Sequence, residues 1–339
     1  MKLVKTLTAA AALACSATVG LAQDYALRFQ SSDPAGNPNF ELQQAWAERV
    51  ATLTGGRVTV EMLPVGSIVQ HTETQDAVAT GIIDGHVTDT SYFTGKDAAF
   101  GLIANPVGAY GSPAEMLNFI EYGGGKELMN ELLNPYGLQF IGATTPGLEA
   151  FISKVPLNGV ADLKGLKMRA PEGLVQNVFL AAGAAPVNLP GSEVFTSLDK
   201  GVIDAADYTV FSTNHQQGMH DVANHPVYPG FHSMPLVEVS INKGTWDSMP
   251  ADVQSILEIS VRDFARDMTS QLAMRDAVSV AAAIANPDIT VHNWSAEERA
   301  KFRTIAKSQW VAVAEKSDNA KRVYEVLTAY LTEQGLLAE

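Results

Sequence analysis

Three small groups of residues in this chain have types and spacings that could do chemistry. Arg169 closes the run Asp162-Leu163-Lys164-Gly165-Leu166-Lys167-Met168-Arg169, which reads as a turn feeding a strand, with Pro171 beginning the exit. In an open α/β sheet the C-terminal end of a strand faces the binding crevice. A guanidinium there offers a planar fork that matches a carboxylate or sulfonate. One such charge-assisted hydrogen bond contributes about 1.5–3 kcal/mol; a solvated strand-end arginine is the plainer alternative. Asp207 and Tyr208 end the run Asp204-Ala205-Ala206-Asp207-Tyr208. Asp207 could accept hydrogen bonds or ligate a hard cation through oxygen, and Tyr208 could lend its face and hydroxyl; a solvated Asp and a half-buried core Tyr are equally consistent with the spelling. The third group is Tyr228-Pro229-Gly230-Phe231-His232, an aromatic loop able either to wall a small pocket or simply to pack.

Four of the seven histidines fall between His215 and His232, which raises a zinc reading. His215, His220 and His225 are five apart, a spacing that does not stack them on one helix face, and no carboxylate-bearing zinc motif accompanies them. The chain has no Gly-x-Ser-x-Gly, no His-Glu-x-x-His, no phosphate loop with Lys and no dinucleotide fingerprint. Those absences weigh against an enzyme without abolishing that reading.

The elements that must position these groups alternate. Tyr25–Gln30 reads as a strand, residues 40–53 as a helix stopped by Gly55-Gly56, Arg57–Leu63 as a second strand, and Ile82–Val87 as a third after another helix. A β-α-β-α-β order implies an open sheet with helices on its faces. Gly81-Ile82-Ile83-Asp84-Gly85 and Gly201-Val202-Ile203-Asp204-Ala205 spell nearly the same corner 120 residues apart, each after a helical stretch. Glycine suits the left-handed turn that ends a helix. The echo suggests two similar α/β lobes with a cleft between them, although such a corner also serves any helix-to-strand junction.

Further along, residues 115–133 read as a helix with Gly123-Gly124-Gly125 inside it or between two pieces. Strands are predicted at 138–144, 149–153, 166–170 and 184–188, with a helix over 174–182, and Val237–Asn242 is a further strand. Pro250 then leads into a helix reaching about Ala285, which at 1.5 Å per residue spans about 50 Å and could brace two lobes. Ser295 with Glu298 is a capping-box spelling that opens a final helix pair.

The N-terminus carries its own signal. Lys2 and Lys5 precede an apolar run from Leu7 to Leu21, and small residues end at Ala22, the pattern of a secretory signal peptide over residues 1–22. Cys15 raises a lipoprotein alternative. It is also the only cysteine, so the mature chain from Gln23 has no disulfide, thiol chemistry or thiolate metal site. Removing the leader leaves 21 basic residues against 37 acidic ones, a net charge of −16. With no basic stripe and no later membrane-length apolar run, nucleic acid and anionic membranes are poor partners, and a soluble product is expected. An anionic ligand would need a local cation to hold it against that field.

Taken together, Ala161–Arg169, Leu198-x-x-Gly201-Val202-Ile203-Asp204-Ala205 and Ile241-Asn242-Lys243-x-x-Trp246-Asp247-Ser248-Met249-Pro250-Ala251-Asp252-Val253-Gln254 resemble the periplasmic solute-binding proteins of TRAP transporters, the DctP type. The resemblance covers essentially the whole mature chain and is nearest the 2-oxo acid-binding branch. It implies an α/β, two-lobed periplasmic binding protein fold with hinge strands and a long lobe-spanning helix. The expected parts are lobe I over 23–145 with about 230–250 returning to it, lobe II over 146–229 with part of 285–339 packing on it, and a bridging helix over 250–285.

The resemblance further implies that Arg169 grips the acid group of a small organic anion. The candidates are a 2-oxo or 2-hydroxy monocarboxylate or a short sulfonate. Asp207 and Tyr208 take the family positions of a Glu-Trp pair and are expected at the ligand's other end. Phe231 and His232 are expected near the opening, covered on closure. No cofactor is required; a calcium or sodium ion bridging ligand and Asp207, with the Tyr208 backbone, is the metal the branch would allow. Expected partners are the small and large TRAP membrane subunits, and pairing of two copies through the terminal helices stays open. Alternatives are the receptor of an ATP-driven importer, a periplasmic hydrolase using Asp207 and His232, and a metal carrier using the histidine run.

Overall fold

The computed structural model describes residues 24–337; the signal-peptide reading, Cys15 included, lies outside them. The chain opens with β1 (Tyr25–Ser31), α1 (Pro38–Leu53), β2 (Val58–Leu63), α2 (Thr74–Ala79) and β3 (Gly85–Asp89), and β1 lies parallel to both β2 and β3. Asn37 caps α1, its side chain accepting from the Asn39 N–H, with Pro38 at the first helical position. Helices α3 (Ala98–Ala104), α4 (Pro113–Tyr122) and α5 (Gly125–Leu133) lead to β4 (Leu138–Thr144). The predicted helix over 115–133 is thus two helices. Gly124 at φ +91° makes the break, and a Cβ on Gly123 would meet the Tyr330 ring at 2.5 Å.

A second sheet follows from β5 (Ile152–Ser153), β6 (Lys167–Arg169), α6 (Leu174–Ala181), β7 (Ala185–Val187), α7 (Val194–Asp199) and β8 (Ala205–Ala206). Short helices α8 (Phe211–Gln216) and α9 (Met219–Val222) return the chain to β9 (Val237–Asn242), which joins the first sheet between β3 and β4, antiparallel to both. The sheet orders are β2-β1-β3-β9-β4 and β5-β8-β6-β7. Both sheets therefore hold the same three-strand unit, with its first strand in the middle: β2-β1-β3 in one and β7-β6-β8 in the other.

The two corners match bond for bond. Gly81 (φ +75°) donates to Val78 O and Ile82 to Ala77 O; Gly201 (φ +70°) donates to Leu198 O and Val202 to Ser197 O. This is the Schellman closure, in which a left-handed residue returns two N–H groups to the last turn. Ile82 and Val202 are left 50% and 59% exposed, whereas Ile83 and Ile203 are buried. The predicted strand Ile82–Val87 consequently starts later, at Gly85, because Ile82 and Ile83 are used in the cap.

After α10 (Lys243–Ser248), α11 (Ala251–Ala285) runs 35 residues. Its first half packs on α1 and β4 through Val261, Phe264 and Met268. There Trp46 stacks on Phe264 and donates to Ser260 Oγ at 3.0 Å. Its second half meets α8, where Asp276 accepts from the Ser212 N–H at 2.7 Å. The helix therefore touches elements following both sheets. The closing pair is α12 (Ala296–Ala314), capped by Ser295, and α13 (Asp318–Glu333), capped by Ser317. Phe302 of α12 packs on Phe179 of α6.

Candidate functional site

The C-terminal ends of the parallel strands point polar residues into one cleft. Asp89 ends β3, Asp33 follows β1, Arg169 ends β6 and Asp207 follows β8. A cavity between them is lined by Asp33, Asp89, Tyr92, Glu149, Tyr208 and Thr209 among others. Arg169 is buried beside the lining residues Tyr92, Glu149 and Tyr208, 3% exposed. Its Nε donates to Leu189 O at 3.0 Å and its Nη1 to Asp207 O at 2.7 Å, and Nη2 makes no hydrogen bond among the described residues. Burial works against its charge, yet Tyr92, Asp207, Glu149 and Tyr208 around it hold its pKa above the ordinary value.

Asp207 is buried, and its Oδ1 pairs with His232 Nε2 at 2.8 Å while Oδ2 makes no hydrogen bond among the described residues. Burial pushes this carboxyl up, but His232, Glu149 and Arg169 outweigh it and leave it below the usual aspartate range. Glu149 goes the other way: burial first, then the charge of Asp207, raises it well above the glutamate range. The charge of Asp207 thus opposes ionisation of the Glu149 carboxyl beside it. Asp33 and Asp89 are both raised to about 6, chiefly by burial. Burial also lifts the Tyr92 and Tyr208 phenols. His71 sets its ring edge against Tyr92 at 4.5 Å, and burial, then the charge of Arg169, lowers its pKa.

Donor atoms of Glu149, Asp207 and His232 lie within 4.8 Å of one another, all buried. The free Asp207 Oδ2 and the neighbouring Glu149 carboxyl suit a hard cation completed by ligand and backbone oxygens. His232 already uses Nε2 on Asp207, so it orients that carboxylate. Across the cleft mouth, Asn37 Nδ2 donates to the Tyr208 hydroxyl and Asn39 Nδ2 to Thr209 Oγ1, each at 3.4 Å.

The sequence profile of the bacterial extracellular solute-binding protein family 7, DctP, matches residues 29–317. The chain belongs to this family. It is 28% identical over 282 residues to a monocarboxylate 2-oxoacid-binding periplasmic protein of Nostoc, covering 78% of this chain and 76% of that one. A TRAP periplasmic solute-binding protein of Rhodobacter sphaeroides, solved in an apo open form, is 63% identical with a TM-score of 0.77, covering 93% of this chain and all of that one. One from Pseudoalteromonas atlantica, solved with bound sodium and pyruvate, is 26% identical with a TM-score of 0.82, covering 91% and 94%. This chain is therefore a TRAP solute-binding protein of two-lobed α/β architecture.

Against that family frame, the fold brings Arg169, Asp207, Tyr208 and His232 of the sequence-predicted set into one neighbourhood. Phe231 does not join them. Its ring stacks on Trp294 at 3.9 Å and 16° because the start of α12 offers a larger apolar partner than the cleft does. His232 is fully buried behind Asp207 rather than sited at the opening. The histidine run disperses: His215 faces His220, His225 faces His292, and only His232 reaches the carboxylates. Sequence reasoning missed Glu149, Asp33, Asp89, Tyr92 and His71. The one available signal was that Asp33 and Asp89 fall at the ends of predicted strands, where the crevice opens.

Proposed function

We propose that this DctP-family protein is a periplasmic receptor that captures a small organic anion, a 2-oxo or 2-hydroxy monocarboxylate or short sulfonate, and delivers it to the small and large subunits of a TRAP transporter. The observation that carries the reading is the buried Arg169 fork, whose Nη2 makes no hydrogen bond among the described residues, set beside a cleft whose lining includes Asp33, Asp89 and Glu149. Arg169 anchors the acid group. With Asp33, Asp89, Glu149 and Asp207 nearby, an anion enters favourably only if positive charge accompanies it. A calcium or sodium ion held by Asp207 and Glu149, with the Tyr208 backbone, would bridge them to the ligand's second oxygen. Tyr208 closes over that end, and Phe231 supports the wall from behind through its contacts with Phe151 and His232.

The working cycle is hinge closure between lobe I (23–145, with about 230–250) and lobe II (146–229, with part of 285–339), braced by residues 250–285. Ligand contacts made by both lobes favour the closed state. The chain superposes better on the 26%-identical pyruvate-bound protein than on the 63%-identical open one, which supports reading the present arrangement as closed. Residues 1–22 would direct export. No described helix is long and apolar enough to cross a membrane, in keeping with a receptor that hands its cargo to separate membrane subunits. Exposed Met274 and Val278 on α11 supply an apolar face through which two receptors could pair.

The decisive experiment is a thermal-shift screen of the mature protein against small carboxylates and sulfonates, each with calcium, sodium or EDTA. A rise in melting temperature confined to short 2-oxo or 2-hydroxy acids or sulfonates is expected. A response to sugars or long dicarboxylates alone would overturn the ligand class.

A further inference from the structure

Behind the cleft wall lies a second cavity of about 180 Å³, on the far side of the segments that carry Glu149 and His232. Its polar lining differs in sign from that of the cleft. Arg299, in the first turn of α12, lines it and donates to four neutral acceptors: Gly230 O at 2.7 Å, Pro229 O at 2.9 Å, Trp294 O and Asn293 Oδ1 at 3.0 Å. Arg299 makes no ion pair among the described residues. Arg303, one turn on, also lines the cavity, is exposed, and has no hydrogen bond or ion pair among the described residues. Two arginines at i and i+4 repel one another. Burial, then Arg303, lowers the pKa of Arg299. In a chain with 37 acidic residues against 23 basic ones, such a pair without a counter-charge calls for an explanation.

Two further groups converge on the same space. The Tyr110 hydroxyl and His232 Nδ1 are both buried and make no hydrogen bond among the described residues, and both residues line the cavity. His232 has used its Nε2 on Asp207, so Nδ1 is the polar atom it still has to offer. A buried polar atom left unmatched costs about 1–3 kcal/mol. Neighbouring acidic groups are already engaged: Glu115 accepts from the Gly111 N–H at 2.7 Å, and Glu298 from the Val160 N–H at 2.8 Å. Two guanidinia and a phenol around one hollow present hydrogen-bond donors, the complement of a small oxyanion.

We propose that this cavity is a second anion site, separate from the organic-acid cleft, that takes a small oxyanion such as phosphate, sulfate or a short carboxylate. Arg303 and Arg299 supply the charge, and the Tyr110 hydroxyl donates from the inner wall. The site does not depend on which ligand fills the cleft.

Calorimetric titration of the mature protein with inorganic phosphate, sulfate and acetate tests it, using Arg303→Glu, Tyr110→Phe and Arg169→Ala variants. At least one anion should bind saturably at one per chain. That binding should persist in Arg169→Ala and weaken at least about tenfold in Arg303→Glu, whose exposed position spares the core. Tyr110→Phe, which removes only the hydroxyl, should weaken it by a smaller factor. Anion binding that vanishes in Arg169→Ala and survives in Arg303→Glu would place the anion in the cleft and overturn the proposal. Absence of saturable binding by all three anions up to about 10 mM would do the same, leaving a water-filled hollow.

Discussion

Gln30 and Arg169 occupy the same place in the two halves of the molecule. Gln30 sits opposite His86 of β3 and Leu63 of β2, and Arg169 sits opposite Ala206 of β8 and Val187 of β7. Gln30 Nε2 donates to Val69 O at 2.8 Å; Arg169 Nε donates to Leu189 O at 3.0 Å, and those two carbonyls are 120 residues apart, the offset of the repeated corner. Each side chain pins the loop that enters a short helix. One half does so with a neutral amide, the other with a guanidinium that still has a nitrogen to spare.

Replacing Arg169 should therefore cost both binding and support. Arg169→Ala is expected to weaken organic-acid affinity by roughly 10- to 150-fold, the equivalent of one charged hydrogen bond. Arg169→Lys, a point charge without the fork, should recover only part of it. Calorimetry on both variants, with circular dichroism to confirm folding, checks this; parental affinity in both would remove Arg169 from the binding role.

Cation binding should be tied to the Glu149–Asp207 pair. Glu149 is raised well above its ordinary range, so its proton must leave before a metal can be held, and affinity should climb with pH. Calcium titrations at pH 6 and pH 8 are expected to give tighter binding at the higher value. Glu149→Gln should abolish the difference along with most of the response to calcium or EDTA.

Asp33 and Asp89 make a stability prediction for the ligand-free protein. Both fold with pKa values of about 6, above the unfolded value of 3.8. The folded state then binds more protons than the unfolded state between about pH 4 and pH 6, so stability falls as pH rises through that window and levels beyond it. Asp33→Asn should be more stable than the parent at pH 7 by about 1–2 kcal/mol, discounted for a half-buried group, with the gap closing near pH 4. Urea melts at the two pH values measure it.

Gly191 leaves room for the Tyr208 ring, because a Cβ there would stand 2.9 Å from its Cε2. Gly191→Ala should push the ring from its seat and weaken ligand binding by about 5- to 150-fold, the overpacking cost of 1–3 kcal/mol. Adding Tyr208→Ala should make the alanine harmless. If Gly191→Ala alone binds normally, Tyr208 does not close over the ligand in this pose.

Much of the architecture was legible because it rests on short-range rules. Gly81 and Gly201 announce their caps, Ser295 marks a helix start, and the strand-helix alternation implies open sheets. The site was harder to read. Arg169 and Asp207 lie at strand ends next to specific spellings, but Glu149 is one acid among many until β4, β5 and the 230–235 segment fold around it. Phe231 shows the same limit from another side: the aromatic loop suggests either a pocket wall or packing, and Trp294, more than 60 residues later, stacks on that ring at 3.9 Å while the ring still lines the cavity beside Arg299. Which partner a residue finds across the fold is a three-dimensional competition that local spacing does not decide.

The unequal pinning residues imply an order of events. An incoming acid meets attraction on one side only and repulsion from the acidic surface elsewhere, so its arrival rate should follow the charged half and rise as salt screens that surface. Under the proposed hinge closure, how long it stays would be governed by the half that carries Gln30, whose Asn37 and Asn39 would have to release Tyr208 and Thr209 on opening. Capture speed and residence time are thereby assigned to different ends of one duplicated unit, and selection could adjust either without disturbing the other.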